Sequence, residues 1–98
     1  MAEETAAVRV QHNEAEQQFQ TTVEGQLAVA AYTRDGNTLT FTHTEVPEEF
    51  QGQGIGNALA SAALQYARAE NATVVPLCGF IGAYMESHPE YQSLLRDV

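Results

Sequence analysis

Val46-Pro47-Glu48-Glu49-Phe50-Gln51-Gly52-Gln53-Gly54-Ile55-Gly56 is the stretch on which the reading of this chain turns. Upstream of it apolar residues recur every second position; downstream they recur with helical spacing. Ile55, Ala58, Leu59, Ala62, Ala63, Tyr66 and Ala67 follow steps of three and four, which predicts an amphipathic helix over about Gly54–Glu70, with Asn71 as a left-handed terminator. Immediately upstream, Thr38–Glu45 alternates as a strand. Its threonines (Thr38, Thr40, Thr42, Thr44) are expected on one face, and Leu39, Phe41, His43 and Glu45 on the other. Beyond the helix, Thr73–Leu77 is a short β-branched run and reads as a buried strand. Strand, helix, strand in that order is a βαβ unit, and its two strands are expected to be parallel.

Working outward, Phe19, Thr21 and Val23 alternate with polar neighbours, Glu24-Gly25 offers a tight turn, and Leu27–Thr33 is apolar on both faces. Asp35-Gly36 is a two-residue hairpin signal. A weaker strand is read over Val8–Gln11. On the C-terminal side, a helix from about Gly79 carries Phe80, Ile81, Tyr84 and Met85, and stops before Pro89, which opens a last short helix to about Leu95. The fold class is therefore α+β, describable also as α/β. The sheet is mixed and mostly antiparallel, with one βαβ crossover and C-terminal helices.

The chain has 98 residues, which points to a single domain over 1–98. Met1–Ala7 is acidic and short, lacks the pattern of a signal peptide, and reads as a frayed tail. With 44% apolar and 17% charged residues the chain is expected to form a packed core. Its 4 basic residues are all arginines (Arg9, Arg34, Arg68, Arg96) against 13 acidic ones, a formal charge of −9 with no lysine. A Walker-A site and Schiff-base chemistry both need a lysine and are excluded. Nucleic-acid binding and polybasic membrane attachment are not expected. The single Cys78 cannot form an intramolecular disulfide, so a reducing, cytoplasmic setting is the default. His12, His43 and His88 show no metal-ligand spacing.

Gly52, Gly54 and Gly56 stand where the helix begins. A helix N-terminus leaves backbone N–H groups unpaired and carries positive partial charge, so it suits a phosphate even in a chain without lysine. A plain Gly-rich turn into a helix is the competing reading. A G-x-G-x-x-G dinucleotide fingerprint fits poorly, because position 57 is Asn.

Gln51-Gly52-Gln53-Gly54-Ile55-Gly56 resembles the Q/R-x-x-G-x-G/A acetyl-CoA loop of GNAT acetyltransferases, which likewise follows a central strand and opens a helix. The flanking His43-Thr-Glu-Val-Pro47, Val75-Pro-Leu-Cys-Gly-Phe80 and His88-Pro-Glu-Tyr91 strengthen the resemblance to small, single-domain GNAT-like proteins, over about Phe19–Leu95. The resemblance implies an abridged GNAT-like fold without the helices that usually follow the first strand. It implies that backbone amides of Gln53, Gly54, Ile55, Gly56 and Asn57 hold the pyrophosphate of acetyl-CoA (coenzyme A), and that Gln51 and Gly52 shape the loop. The backbone at Glu45 and Val46 would pair with the pantetheine arm.

The implied function is N-acetyltransferase chemistry: an acetyl group moves from acetyl-CoA to a small-molecule or peptidyl amine. Candidate catalytic residues are Cys78, at a strand end before a helix, and His43 or Glu45 as base, directly or through water. Each has a plainer alternative: Cys78 as a buried structural cysteine, His43 as a core histidine near Phe41, and Glu45 as a solvated carboxylate. Phe80 and Tyr84 are expected in the core, with one ring free to pack on the cofactor, and His88 as a cap on the Pro89 helix. Two other functions stay open at this point, a non-catalytic CoA-binding regulatory or protein-interaction module, and a domain that pairs partners along its sheet edge.

Overall fold

Five strands and two α-helices organise residues 9–95, the part of the chain that the computed structural model describes. The strands are β1 (Gln11–Asn13), β2 (Gln18–Val23), β3 (Gln26–Asp35), β4 (Thr38–Glu45) and β5 (Thr73–Pro76). The helices are α1 (Ile55–Ala69) and α2 (Gly79–Ser87), with 3₁₀ turns at Glu48–Phe50 and Pro89–Leu94. The strands lie side by side in chain order, β1-β2-β3-β4-β5. All neighbours are antiparallel except β4 and β5, which are parallel across the α1 crossover.

The first strand is displaced from its expected place. Val8 lies outside the described residues, as does the expected tail Met1–Ala7, and β1 starts at Gln11. Packing of His12 fixes the register. Its ring lies flat on Phe19, centroids 4.1 Å apart, it meets Tyr66 edge-on, and its Nε2 shares a hydrogen bond with the Tyr32 hydroxyl. An aromatic cluster thus outweighs the weak apolar alternation around Val8 and Val10.

Every fully buried strand side chain belongs to one face of the sheet: Phe19, Thr21, Ala28, Ala30, Tyr32, Leu39, Phe41 and Val74. Both helices cover that face. α1 brings Ile55, Leu59, Ala60, Ala63, Leu64 and Ala67, and its alanines let it sit close to the strands. α2 and the following turn add Ile81, Met85, Tyr91 and Leu94. Burial of a side chain such as Phe41 or Leu59 contributes about 1.5–3 kcal/mol. Asn71 takes the left-handed conformation (φ 55°) expected at the end of α1, and Asn37 donates its side-chain amide to the Asn71 carbonyl. On the opposite face, Gln18, Gln20, Val29, Ala31, Thr40 and Val75 are only partly buried and His43 is exposed. No helix among the described residues is long and apolar enough to cross a membrane.

One expectation about β4 is overturned. Ala31 pairs with His43, whereas the next residue, Tyr32, pairs with Phe41. Thr42 is therefore the extra residue of a β-bulge, and the alternation of side chains restarts behind it. Leu39 and Phe41 point into the core, but His43 and Glu45 lie opposite Ala31 and Val29 on the uncovered face. Thr44, opposite Ala30, takes the core side in their place. A strand read with an unbroken period of two puts His43 and Glu45 with Phe41; one inserted residue separates them.

His12 gives the fold a pH dependence. Burial, the largest influence, holds its pKa below the usual 6.5. The unfolded chain then binds a proton that the folded chain resists, so stability is full above about pH 6.5 and is lost as pH falls below it. Urea denaturation between pH 7.5 and 5.5 is expected to show a steeper decline for the natural protein than for His12→Phe, which keeps the stacking on Phe19. Equal slopes would refute this role for His12.

Candidate functional site

The site forms where β4 and β5 part. The two strands pair from Thr38–Thr73 to Phe41–Pro76 and no further. Pro76 has no N–H to extend the ladder, and the Cys78 N–H closes the seam by donating to the Phe41 carbonyl at 2.9 Å. β4 continues to Glu45 with β3 on one side and, among the described residues, no strand on the other. The bulge at Thr42 aims Thr44 at this opening, where its Oγ1 lies 3.2 Å from the Sγ of Cys78. Cys78 is partly buried and is the N-cap residue of α2.

The glycine loop forms the other wall. The 3₁₀ turn Glu48–Phe50 follows Pro47 and buries Phe50. The Gln51 side chain donates to the Val46 carbonyl at 3.1 Å, that of Gln53 to the Glu49 carbonyl at 3.4 Å, and that of Gln26 to the Glu49 carboxylate at 2.6 Å. Gly52 and Gly54 both stand at φ 85°, a region costly for a residue with a Cβ. They turn the chain tightly into α1 with no side chain in the way. The first helical bond of α1 runs from the Ala58 N–H to the Gly54 carbonyl. The N–H groups of Gln53, Gly54, Ile55, Gly56 and Asn57 take no acceptor within the described residues, and no side chain caps the helix.

These elements enclose a cavity of about 490 Å³, lined by Thr44, Val46, Phe50, Gln51, Gly52, Gly54, Gly56, Asn57 and Phe80. A second cavity of about 530 Å³ shares Thr44, Val46 and Gln51 with it, and is otherwise lined by Gln26, Leu27, Glu45, Pro47 and Glu48. A groove of about 300 Å³ continues past Asn57 and Phe80 along Ala83, Tyr84, Ser87 and His88. The donor row, the side-chain-free turns at Gly52 and Gly54 and the apolar Phe50 and Phe80 suit a ligand with a phosphate-rich end and an apolar arm.

Of the residues singled out from sequence, Val46, Gln51, Gly52, Gly54, Gly56 and Asn57 line one cavity. Ile55 sends its side chain into the core and offers only its N–H, and Gln53 turns its side chain back to Glu49. Cys78 meets this cavity through Thr44. His43 and Glu45 form a separate exposed pair, Nε2 to Oε1 3.2 Å, and neither hydrogen-bonds Cys78. His43 is thus not the core histidine of the plainer reading. Glu45 lines the second cavity and not the first. The sequence reading missed Thr44 and Phe50. Thr44 was hidden by the bulge, while Phe50, apolar between Glu49 and the glycines, carried the one available signal.

Three aromatic expectations are revised. Phe80 is 41% exposed, Tyr84 packs against the core while only partly buried, and Ile81 and Met85 are the buried side chains of α2. His88 is the N-cap residue of the Pro89 turn, its carbonyl accepting from the Tyr91 N–H at 3.0 Å, but its side chain makes no capping bond; its Nδ1–H donates instead to the Tyr84 carbonyl at 2.8 Å, with its ring stacked on that of Tyr84. Gly56 differs in kind from Gly52 and Gly54. Its φ is ordinary, but a Cβ there would stand 2.8 Å from the tip of the Phe80 ring. At this position glycine makes room for an aromatic wall.

Comparison with known proteins agrees with this geometry. A family model described as GCN5-related N-acetyl-transferase matches residues 18–94. Protein NATD1 of Xenopus tropicalis is 34% identical over 95 residues, covering 94% of this chain and 87% of that protein. Protein NATD1 of Mus musculus is 33% identical over 97 residues, covering 96% and 88%. The solution structure of a GCN5-like protein from Staphylococcus aureus superposes with a TM-score of 0.72 at 27% identity, covering 92% of this chain and 89% of that one.

The two kinds of glycine are separable by mutation. Gly54→Ala is expected to cost about 1–2 kcal/mol in urea denaturation, because alanine is strained at positive φ. Gly56→Ala is expected to cost less than about 1 kcal/mol, because the exposed Phe80 ring can swing aside. The reverse order would refute the assignment.

Proposed function

The chain belongs to the GCN5-related N-acetyltransferase family, and on that premise we propose that it binds acetyl-CoA in the first cavity and transfers the acetyl group to an amine. The observation that carries the proposal is the row of N–H groups from Gln53 to Asn57 with no protein acceptor. Acetyl-CoA, when bound, supplies an acetyl group already activated as a thioester.

The residues of the chain do the rest. The Gln53–Asn57 amides and the N-terminus of α1 hold the pyrophosphate, with affinity from backbone dipoles rather than cationic side chains. Gln51 keeps the loop closed on Val46. The edge of β4 at Thr44 and Glu45, unpaired on the β5 side, offers backbone groups to the pantetheine amides. Glu45, in contact with His43, takes the proton that the amine must lose. Cys78, held by Thr44, gives its Sγ proton to the departing sulfur and regains one from solvent. The amine attacks directly in this reading, because among the described residues no base pairs with Cys78 as nucleophilic catalysis would require.

Calorimetric titration with acetyl-CoA is expected to show saturable binding, and Cys78→Ala to retain it while lowering turnover on amines by about 10²-fold or more. Rapid-quench mass spectrometry without acceptor is expected to show no acetyl adduct; an adduct lost in Cys78→Ser would replace direct attack with a covalent route. Binding with no turnover on any amine would leave a CoA-binding module, and no binding would overturn the proposal.

The cation arrangement gives a second expectation. Arg34 is engaged by Tyr66, the Gly36 carbonyl and Glu70, Arg68 lies over the Tyr91 ring, and neither lines the cavity. Arg96 lies outside the described residues. Dephospho-CoA is therefore expected to bind within about threefold of CoA, and CoA affinity to respond weakly to salt. A loss of tenfold or more with dephospho-CoA would reveal a cationic clamp.

A further inference from the structure

We infer that β1 is a pH-released strap: when His12 takes a proton, Gln11–Asn13 leaves β2 and swings out from a fixed pivot at Gln17, while the rest of the sheet stays closed. The structure is built to part there. β1 pairs with β2 at three positions (Gln11–Gln20, His12–Phe19 and Asn13–Gln18), whereas β2 is tied to β3 along its whole length. Beyond that ladder, the strap is held by the His12 ring among Phe19, Tyr32 and Tyr66, by an Asn13–Gln20 side-chain bond of 3.2 Å, and by a partly buried Val10. The pivot is firmer. Gln17 stands at φ 55°, its carbonyl accepts from the Tyr32 N–H at 2.9 Å, and its side-chain oxygen accepts from the Arg34 N–H at 3.0 Å. Both bonds join the base of the strap to β3, so an opening that starts at β1 stops at Gln17.

The latch is the contact between His12 and Tyr32. A neutral ring with its proton on Nδ1 accepts the Tyr32 O–H at Nε2. A protonated ring carries N–H on both nitrogens, so Nε2–H claims the Tyr32 oxygen and the hydroxyl proton needs another acceptor. Among the described residues that hydroxyl has no second hydrogen bond. Burial, reinforced by Tyr66, pushes the Tyr32 pKa above the usual 10, so the hydroxyl keeps its proton throughout. Three charged groups face His12. Glu14, whose Oε2 lies 3.9 Å from Nδ1, and Glu70 of α1 favour its charge; Arg34 of β3, held by the Tyr66 hydroxyl and Glu70, opposes it. β2 carries no ionisable residue and meets His12 with the Phe19 ring. Burial outweighs the two carboxylates and keeps His12 below 6.5 in the closed form. In the open form the ring is solvated and regains its ordinary value, so the open form gains as pH falls below about 6.5. Opening turns the side of Gln18–Gln20 that faced β1 into an unpaired strand edge. The cleft between β4 and β5 is separated from the strap by β2 and β3.

Amide hydrogen exchange of the full chain, read residue by residue by NMR and corrected for the intrinsic pH dependence of exchange, tests this. It is run at pH 7.5 and 5.5, with and without urea below the unfolding transition. The same proton linkage reaches global unfolding, so the place and size of the opening are decisive. The Gln11–Asn13 amides are expected to be at least about tenfold less protected than those joining β3 to β4, and to respond little to urea, the mark of a small opening. Their protection is expected to fall by about threefold or more on acidification, and by no more than about tenfold per pH unit, the limit for one proton. The Tyr32 and Arg34 amides, bonded at the pivot, are expected to keep the high, urea-sensitive protection of the core. His12→Phe is expected to abolish the acid response of β1. His12→Gln, neutral at every pH and able to reach Tyr32, provides the same comparison with a hydrogen bond retained. Protection and urea dependence shared by β1 and the β3–β4 seam would overturn the strap, as would opening of the pivot amides together with β1. A β1 response that is absent in the natural protein, or that persists in both variants, would overturn His12 as the latch.

Discussion

The hydrogen bond from the Cys78 N–H to the Phe41 carbonyl is the constraint on which the site depends. It ends the parallel β4–β5 ladder, leaves the last residues of β4 open on that side, and places the thiol at the mouth of the opening. The bulge at Thr42 acts at the same point from the other strand. Together they set two inward groups, Thr44 and Cys78, in contact, and send His43 and Glu45 to the opposite face. Two reacting partners can then approach one spot from different sides without competing for the same wall.

The proposed binding of a polyanion by a chain of net charge −9 poses an electrostatic problem. The loop answers it with geometry. In the proposed reading, positive partial charge on five N–H groups without protein acceptors acts at hydrogen-bonding distance, where local dipoles outweigh screened and scattered carboxylates. The acidic surplus need not oppose this, because Glu45 and Glu48 face the neighbouring cavity. Opposite electrostatic demands are met on the two sides of one strand end.

Much of this was legible in the sequence because local rules agreed with the final packing. Alternation bounded β4 at Thr38 and Glu45, the three-and-four spacing from Ile55 located α1, and Asn71 ended it as its αL tolerance suggests. The loop was recognisable because Gly52 and Gly54 serve backbone conformation, a property of the residue itself. The misread bulge, the misplaced first strand and the unforeseen role of Gly56 share one cause: each depended on a contact far along the chain. The bulge arises from register against β3, β1 is placed by stacking of His12 on Phe19, and Gly56 answers to Phe80. No pattern within a window of ten residues carries that information.

Sheet order and chain order coincide, and this bears on how the molecule comes together. Three of the four strand joints are hairpins closed by two to four residues, whereas the β4–β5 joint must wait for the whole of α1 to be laid across it. Loop closure makes such a joint the slow one. The cleft lies at that joint, so a chain that has formed only its meander has no ligand site at all. Competence to bind is then a report that folding has finished, and a ligand that engages the loop draws the last-formed seam into the most protected part of the molecule.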